Sequence, residues 1–164
     1  MKTKKVAFLG MCIALSMILS FVESQIPPLV AVPGVKVGLP NIVMVFMLYK
    51  IGAKETAIVS IIRVILVGFL FGTPLSMIYS LVGAALSLIG MIILKKTNLF
   101  APVTVSVVGG ILHNVGQIAT ACFVMDTAEI AYYLPVLFIS GTIAGIVIGY
   151  VAGLILKRLD KMKL

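Results

Sequence analysis

The chain has 164 residues, 62% hydrophobic and only 11% charged, with a mean hydropathy of +1.25. Soluble domains are about 45–50% apolar and about 25% charged, so a water-soluble globule is excluded, and the wealth of Leu, Ile, Val and Met excludes a disordered chain. The formal net charge of +8 lies at the ends of apolar runs, not on a clustered basic face, so it speaks for membrane topology and not for nucleic acid.

The apolar runs are continuous, whereas a β-barrel strand alternates polar and apolar residues. A transmembrane helix takes about 20 apolar residues, and six fit the length with short connections. The expected fold is therefore an all-α membrane protein, residues 1–164 forming a single six-helix transmembrane domain.

The start of the chain resembles a signal peptide, with Met1 to Lys5 basic and Val6 to Val22 apolar, and Leu9-Gly10-Met11-Cys12 resembles a lipoprotein cleavage site. Met11 is bulky where a small residue is wanted, however, and no Ala-x-Ala site follows. This segment reads as a retained first span, Val6 to Val22, ending in Glu23-Ser24-Gln25-Ile26-Pro27-Pro28. A long connection with Pro33-Gly34 as a turn signal leads to a short second span, Leu39 to Tyr49, closed by Lys50, Gly52 and Lys54. The third span runs from Glu55 to Phe71 and breaks at Gly72-Thr73-Pro74; the fourth runs from Pro74 to Leu94 and stops at Lys95-Lys96. The fifth covers Pro102 to Val124 with a soft point at Gly109-Gly110, a polar loop follows at Asp126 to Glu129, and the sixth covers Ala131 to Leu156.

With the N-terminus inside, six spans place Lys2, Lys4, Lys5, Lys50, Lys54, Lys95, Lys96, Lys157, Arg158, Lys161 and Lys163 on the cytoplasmic side. Outside remain Lys36, Glu23, Asp126 and Glu129, and Arg63 lies within a span. This asymmetry predicts an N-in, C-in protein of the cytoplasmic membrane.

A charge at the bilayer centre costs about 2.5–3.5 kcal/mol or more. Arg63 lies eight residues beyond Glu55, about 12 Å along the helix axis, and so needs an acceptor, a polar cavity or an anionic ligand. A clamp on backbone carbonyls or on Glu23, a direct ligand contact and support of a ligand site are the roles open to it. In the fifth span His113, Gln117 and Thr120 share one helical face, and Asn114 lies about 100° further round, towards a neighbouring helix. A packing histidine is the simplest reading of one such residue; four polar side chains so close together favour a cavity lining. Asn41 opens the second span, Ser76 and Ser80 lie in the outer half of the fourth, and Tyr132 and Tyr133 begin the sixth, where tyrosines also serve as interface-belt residues. Together Glu23, Lys36, Asn41, Arg63, His113, Asn114, Gln117 and Tyr132 describe a pocket closed towards the cytoplasm and open outside, suited to an external, anionic solute.

Small residues recur at Gly141, Gly145, Gly149 and Gly153 of the sixth span, at Ser76, Ser80, Gly83 and Ser87 of the fourth, and at Ala7, Gly10 and Ala14 of the first. Such faces let helices approach closely; packing inside the bundle is the simpler reading, except in the first span, where a partner surface is open. Cys12 and Cys122 sit in apolar runs, with no disulfide framework and no metal-ligand spacing. The sequence has no Walker A loop, no catalytic dyad and no DDxxD-like aspartate cluster to bind diphosphate through Mg²⁺. No enzyme and no cofactor is expected, and any transport needs a separate motor.

Pro33-Gly34-x-Lys36-x-Gly38-Leu39-Pro40-Asn41, Arg63 with Gly68 to Gly72, His113-Asn114-x-Gly116-Gln117, and Tyr132-Tyr133-Leu134-Pro135 with Gly141 resemble the Gx transporter family, over about Lys5 to Leu156. Its members are often labelled heptaprenyl diphosphate synthase component I and are similar in size and topology to the S-components of energy-coupling factor (ECF) transporters. The resemblance implies a six-helix solute binder docked on a T-component that carries two ATPases. It further implies a docking face on the first helix, here Ala7, Gly10 and Ala14, and a solute related to a flavin, a quinone or an isoprenoid. The competing expectation is a non-catalytic membrane subunit that assists prenyl-quinone synthesis or electron transfer.

Overall fold

A computed structural model describes residues 2–25 and 38–159. Six α-helices follow one another: α1 (Lys2–Gln25), α2 (Asn41–Lys50), α3 (Ala53–Phe71), α4 (Pro74–Thr97), α5 (Pro102–Val124) and α6 (Leu134–Leu159). A 3₁₀ turn, Glu129–Tyr133, leads into α6. No strand occurs among the described residues.

Local chemistry sets the breaks. Between α3 and α4, Pro74 supplies a first-turn position that needs no N–H. Thr73 and Ser76 form a reciprocal capping box, with Ser76 N donating to Thr73 Oγ1 (3.1 Å) and Thr73 N donating to Ser76 Oγ (2.9 Å). At its other end α4 stops on Asn98, whose φ of 55° is left-handed, a conformation that asparagine tolerates better than most residues. Pro102 starts α5 in the same way as Pro74. Gly52, at φ 135°, makes the tight junction between α2 and α3 that a side chain would strain.

Four helical stretches are long and apolar enough to cross a membrane: Thr3–Gln25, Pro74–Thr97, Pro102–Val124 and Glu129–Leu159. That is the make-up of a multi-pass membrane protein. The other two helices differ for distinct reasons. α3 has 19 residues but carries Lys54, Glu55 and Arg63. α2 has ten residues and rises about 15 Å, half of a hydrocarbon core about 30 Å thick. It is instead a core helix: Val43 through Leu48 are all buried.

Two apolar clusters meet on α2. On one side Met44, Phe46 and Met47 pack with Cys12 of α1 and Val59 of α3, and Phe8 tilts against Phe46 with ring centroids 6.5 Å apart. On the other, Val45 and Leu48 pack with Leu88 and Met91 of α4, Val105 of α5 and Ile148 of α6. The outer surface is apolar, with Ile18 59%, Phe69 78% and Phe123 87% exposed, as suits a protein solvated by lipid tails.

Lipid is as apolar as leucine, so helices in a bilayer associate through close packing and hydrogen bonds rather than hydrophobic burial. The extensive α4–α5 and α5–α6 contacts obey that rule. Gly145 and Gly149 of α6 sit against the α5 backbone so closely that an added Cβ would lie 2.5 Å from Val107 Cα and 2.6 Å from Val103 Cα. On the opposite side of α5, Gly116 meets Gly83 of α4 at a similar distance. The small-residue stripe of α6 is thus a packing seam at Gly141, Gly145 and Gly149, while Gly153 has nothing within 4 Å. The soft point expected at Gly109-Gly110 is no break: α5 runs straight through it, Gly109 towards Met91 and Gly110 towards Gly141.

Lysines tie one end of the bundle. Lys5 of α1 pairs with Glu55 of α3. Lys95 of α4 donates to the Leu48 carbonyl of α2 and stands over the Tyr49 ring, 5.4 Å from its centroid. Lys50 donates to the Leu159 carbonyl of α6 at 3.4 Å. Cations satisfy carbonyls at helix C-termini and favour the negative end of the dipole. At the opposite end Phe21 and Phe71 pack with centroids 5.2 Å apart, and Glu23 accepts a hydrogen bond from the Gly38 amide.

Candidate functional site

Two cavities lie between the helices. The smaller, about 10 Å³, is central and polar: Asn41 of α2, Thr56 and Ser60 of α3, Ser87 of α4 and His113 of α5 line it. Ser60 and Ser87 are buried. Thr56 spends its hydroxyl proton on the Gly52 carbonyl at 2.7 Å. About 10–15 Å³ holds one water molecule, so this space admits a single water-sized group.

The larger cavity, about 280 Å³, lies towards the end opposite the lysines. Tyr79 of α4, Gln117, Ile118 and Ala121 of α5, Tyr133 of the 3₁₀ turn and Leu137 of α6 form its walls. The 3₁₀ turn brings Tyr133 there by displacing the start of α6 to Leu134. No charged side chain is among its described lining residues.

The polar residues singled out in the sequence distribute over this framework. Asn41 and His113 share the central cavity, and Gln117 lines the larger one a turn away. Both α5 side chains flank Gly83, where an added Cβ would stand 3.0 Å from Gln117 Cγ and 3.2 Å from His113 Cε1. Asn114 does point to a neighbouring helix: its Nδ2 donates to the Leu137 carbonyl of α6 at 2.8 Å. Arg63 is half-buried, its Nε enclosed without a hydrogen-bond partner, and the charge of Glu23 acts on it. Arg63 lines neither cavity.

Tyr132 is 85% exposed. Thr120 bonds the Gly116 carbonyl of its own helix at 2.7 Å, and Ser76 is engaged in the α4 cap. Lys36, and the Pro33-Gly34 turn signal with it, lie outside the described residues. Ala7, Gly10 and Ala14 are exposed on α1, and nothing lies within 4 Å of a Cβ placed on Gly10.

Tyr79 is a cavity residue that reading for charge and amides overlooks. Its hydroxyl is enclosed without a hydrogen-bond partner. A signal was present in the sequence, since it stands between Ser76 and Ser80 in the outer half of the fourth apolar run. Among the described residues no group of three or more His, Cys, Asp or Glu side chains is placed to hold a metal ion.

These features define a class: an all-helical, multi-pass membrane protein with an internal cavity near one end. The family model described as heptaprenyl diphosphate synthase component I matches residues 12–155, and the chain belongs to this family, the one also known as the Gx transporter family. Searches of curated proteins and of solved structures give no match.

Proposed function

We propose that the chain is the solute-binding subunit of an uptake system in the cytoplasmic membrane, resembling the S-components of ECF transporters. Its six helices lie in the bilayer with both termini inside, and a T-component with two ATPases supplies the energy. The cavity of about 280 Å³ carries the reading, because a membrane anchor with no ligand has no need of a chamber lined by a glutamine and two tyrosines. Ligand pockets begin at about 300 Å³ and combine apolar walls with a few placed polar groups.

Two further observations support it. Lys5, Lys50 and Lys95 hold the end away from the cavity, so the positive-inside rule turns the cavity outward. The exposed small-residue face of α1, with Ala7, Gly10 and Ala14, is where a T-component would dock. In this reading Gln117 contacts the solute, with Asn41 and His113 beneath it. Arg63, Asn114 and Tyr132 shape the surrounding bundle and its mouth. The chain itself is not an enzyme.

The family description favours a second reading, a membrane subunit assisting heptaprenyl diphosphate synthesis. Native mass spectrometry of the protein purified gently from its own membranes separates the two. Co-purifying ATPases, a T-component or a bound metabolite support the uptake reading. A soluble prenyl synthase or a redox protein in their place refutes it.

A further inference from the structure

The larger cavity also carries information about the chemistry of its occupant, an inference that rests on the uptake reading above. Among the described residues no Lys, Arg, His, Asp or Glu lines it, so an ion entering would lose its hydration with no countercharge from these walls to replace it. Its volume of about 280 Å³ is nearly twice the roughly 150 Å³ that accommodates benzene in an apolar cavity, which is room for two fused rings. Tyr79 and Tyr133 contribute aromatic surface, against which a planar molecule packs edge-on or offset.

Gln117 supplies the specificity. Its side-chain amide offers a donor and an acceptor side by side, and among the described residues it has no hydrogen-bond partner. Polar groups within a bilayer bundle are ordinarily paired. Asn114, one turn earlier, follows that rule through the Leu137 carbonyl. Gln117 instead faces a space large enough for a guest.

We propose that this cavity binds an uncharged, planar solute of about two fused rings, whose edge carries a hydrogen-bond donor next to an acceptor, and that the Gln117 amide reads that edge. A lactam or similar amide-like edge is the complement. Anionic solutes are rejected.

The test uses the full chain in lipid nanodiscs, with empty nanodiscs as the partition control and equilibrium dialysis as the readout. Three probes separate the contributions: 2-quinolone, naphthalene and quinoline-2-carboxylate. The expected result is saturable binding of 2-quinolone, with the carboxylate at least tenfold weaker. Gln117→Leu removes both the donor and the acceptor that meet the lactam edge and weakens 2-quinolone at least tenfold, while leaving naphthalene unchanged or tighter. Ala121→Phe fills the cavity and removes both neutral probes. Should that variant fail to fold, the Gln117→Leu comparison decides alone.

Equal or tighter binding of the carboxylate overturns the proposal, as does 2-quinolone binding that ignores Gln117, the pattern expected of a slot for lipid chains. Absence of saturable binding by every probe also overturns it. Co-purification of ATPases without 2-quinolone binding removes the solute class and leaves the uptake reading intact. Quinolone binding without transport partners does the reverse.

Discussion

Alanine at Gly145 is expected to push α5 and α6 apart, while alanine at Gly153, two turns along the same stripe, is expected to be harmless or helpful. A Cβ on Gly145 would stand 2.5 Å from Val107 Cα, 3.0 Å from Val107 N and 3.1 Å from the Ser106 carbonyl oxygen. Carbon atoms rest at about 3.5–4.0 Å, so the helices must separate by about 1 Å at this level. All three neighbours are backbone, and none can rotate away. Overpacking of this kind costs about 1–3 kcal/mol. Replacing glycine by alanine inside a helix gains about 1 kcal/mol, but that gain is common to both variants and cancels between them. Gly145→Ala is therefore expected to be less stable than Gly153→Ala by about 1–3 kcal/mol. Unfolding in mixed micelles by added SDS, followed by circular dichroism, measures the difference. Equal midpoints for the two variants would refute the packing seam.

Asn114→Leu removes the hydrogen bond to the Leu137 carbonyl and should cost about 0.6 kcal/mol, at most about 1.7, as interhelical hydrogen bonds in membranes do; an unshifted SDS midpoint would mean that this bond contributes nothing. Thr73→Ala breaks the α4 capping box at a cost of about 1 kcal/mol. Its signature is faster amide exchange confined to the first turn of α4, and uniform protection would contradict it. Glu55→Gln discharges the pairing with Lys5, whose side chain is 56% exposed. It should destabilise the fold only slightly, and the gap to wild type should close as salt screens the pair; a gap that persists in high salt argues against a surface ion pair.

Helix positions were largely legible because their punctuation is covalent. Pro74 and Pro102 start helices at the expected residues, and the expected break at Gly72-Thr73-Pro74 is where α3 ends and α4 begins. The nature of α2 was less so. A run such as Val43 to Leu48 has no polar stripe, and a continuous apolar run reads alike for a span and for a core helix; only its ten-residue length hints at the second. The 3₁₀ turn before α6 left no periodicity to read in five residues.

The polar residues show the same division. Spacing along a helix gives depth and relative angle, so His113 and Gln117 do lie on adjacent turns of one face. It does not give the angle of one helix relative to another. Asn114 therefore turned out to hold α6, and Arg63 to line neither cavity. Tyr133 joined the cavity while its neighbour Tyr132 points outward, a split set by the tight 3₁₀ winding.

The glycine seams along both sides of α5 have an entropic side. Where Gly145 meets Val107 and Gly116 meets Gly83, backbone rests on backbone, and glycine has no rotamers to freeze when helices join. The slab of α4, α5 and α6 thus assembles without immobilising long side chains along its seams. At the cavity, the polar and aromatic side chains that keep rotamer freedom on such a framework are Gln117, Tyr79 and Tyr133, so a guest, were one to enter, would have to order little besides these three.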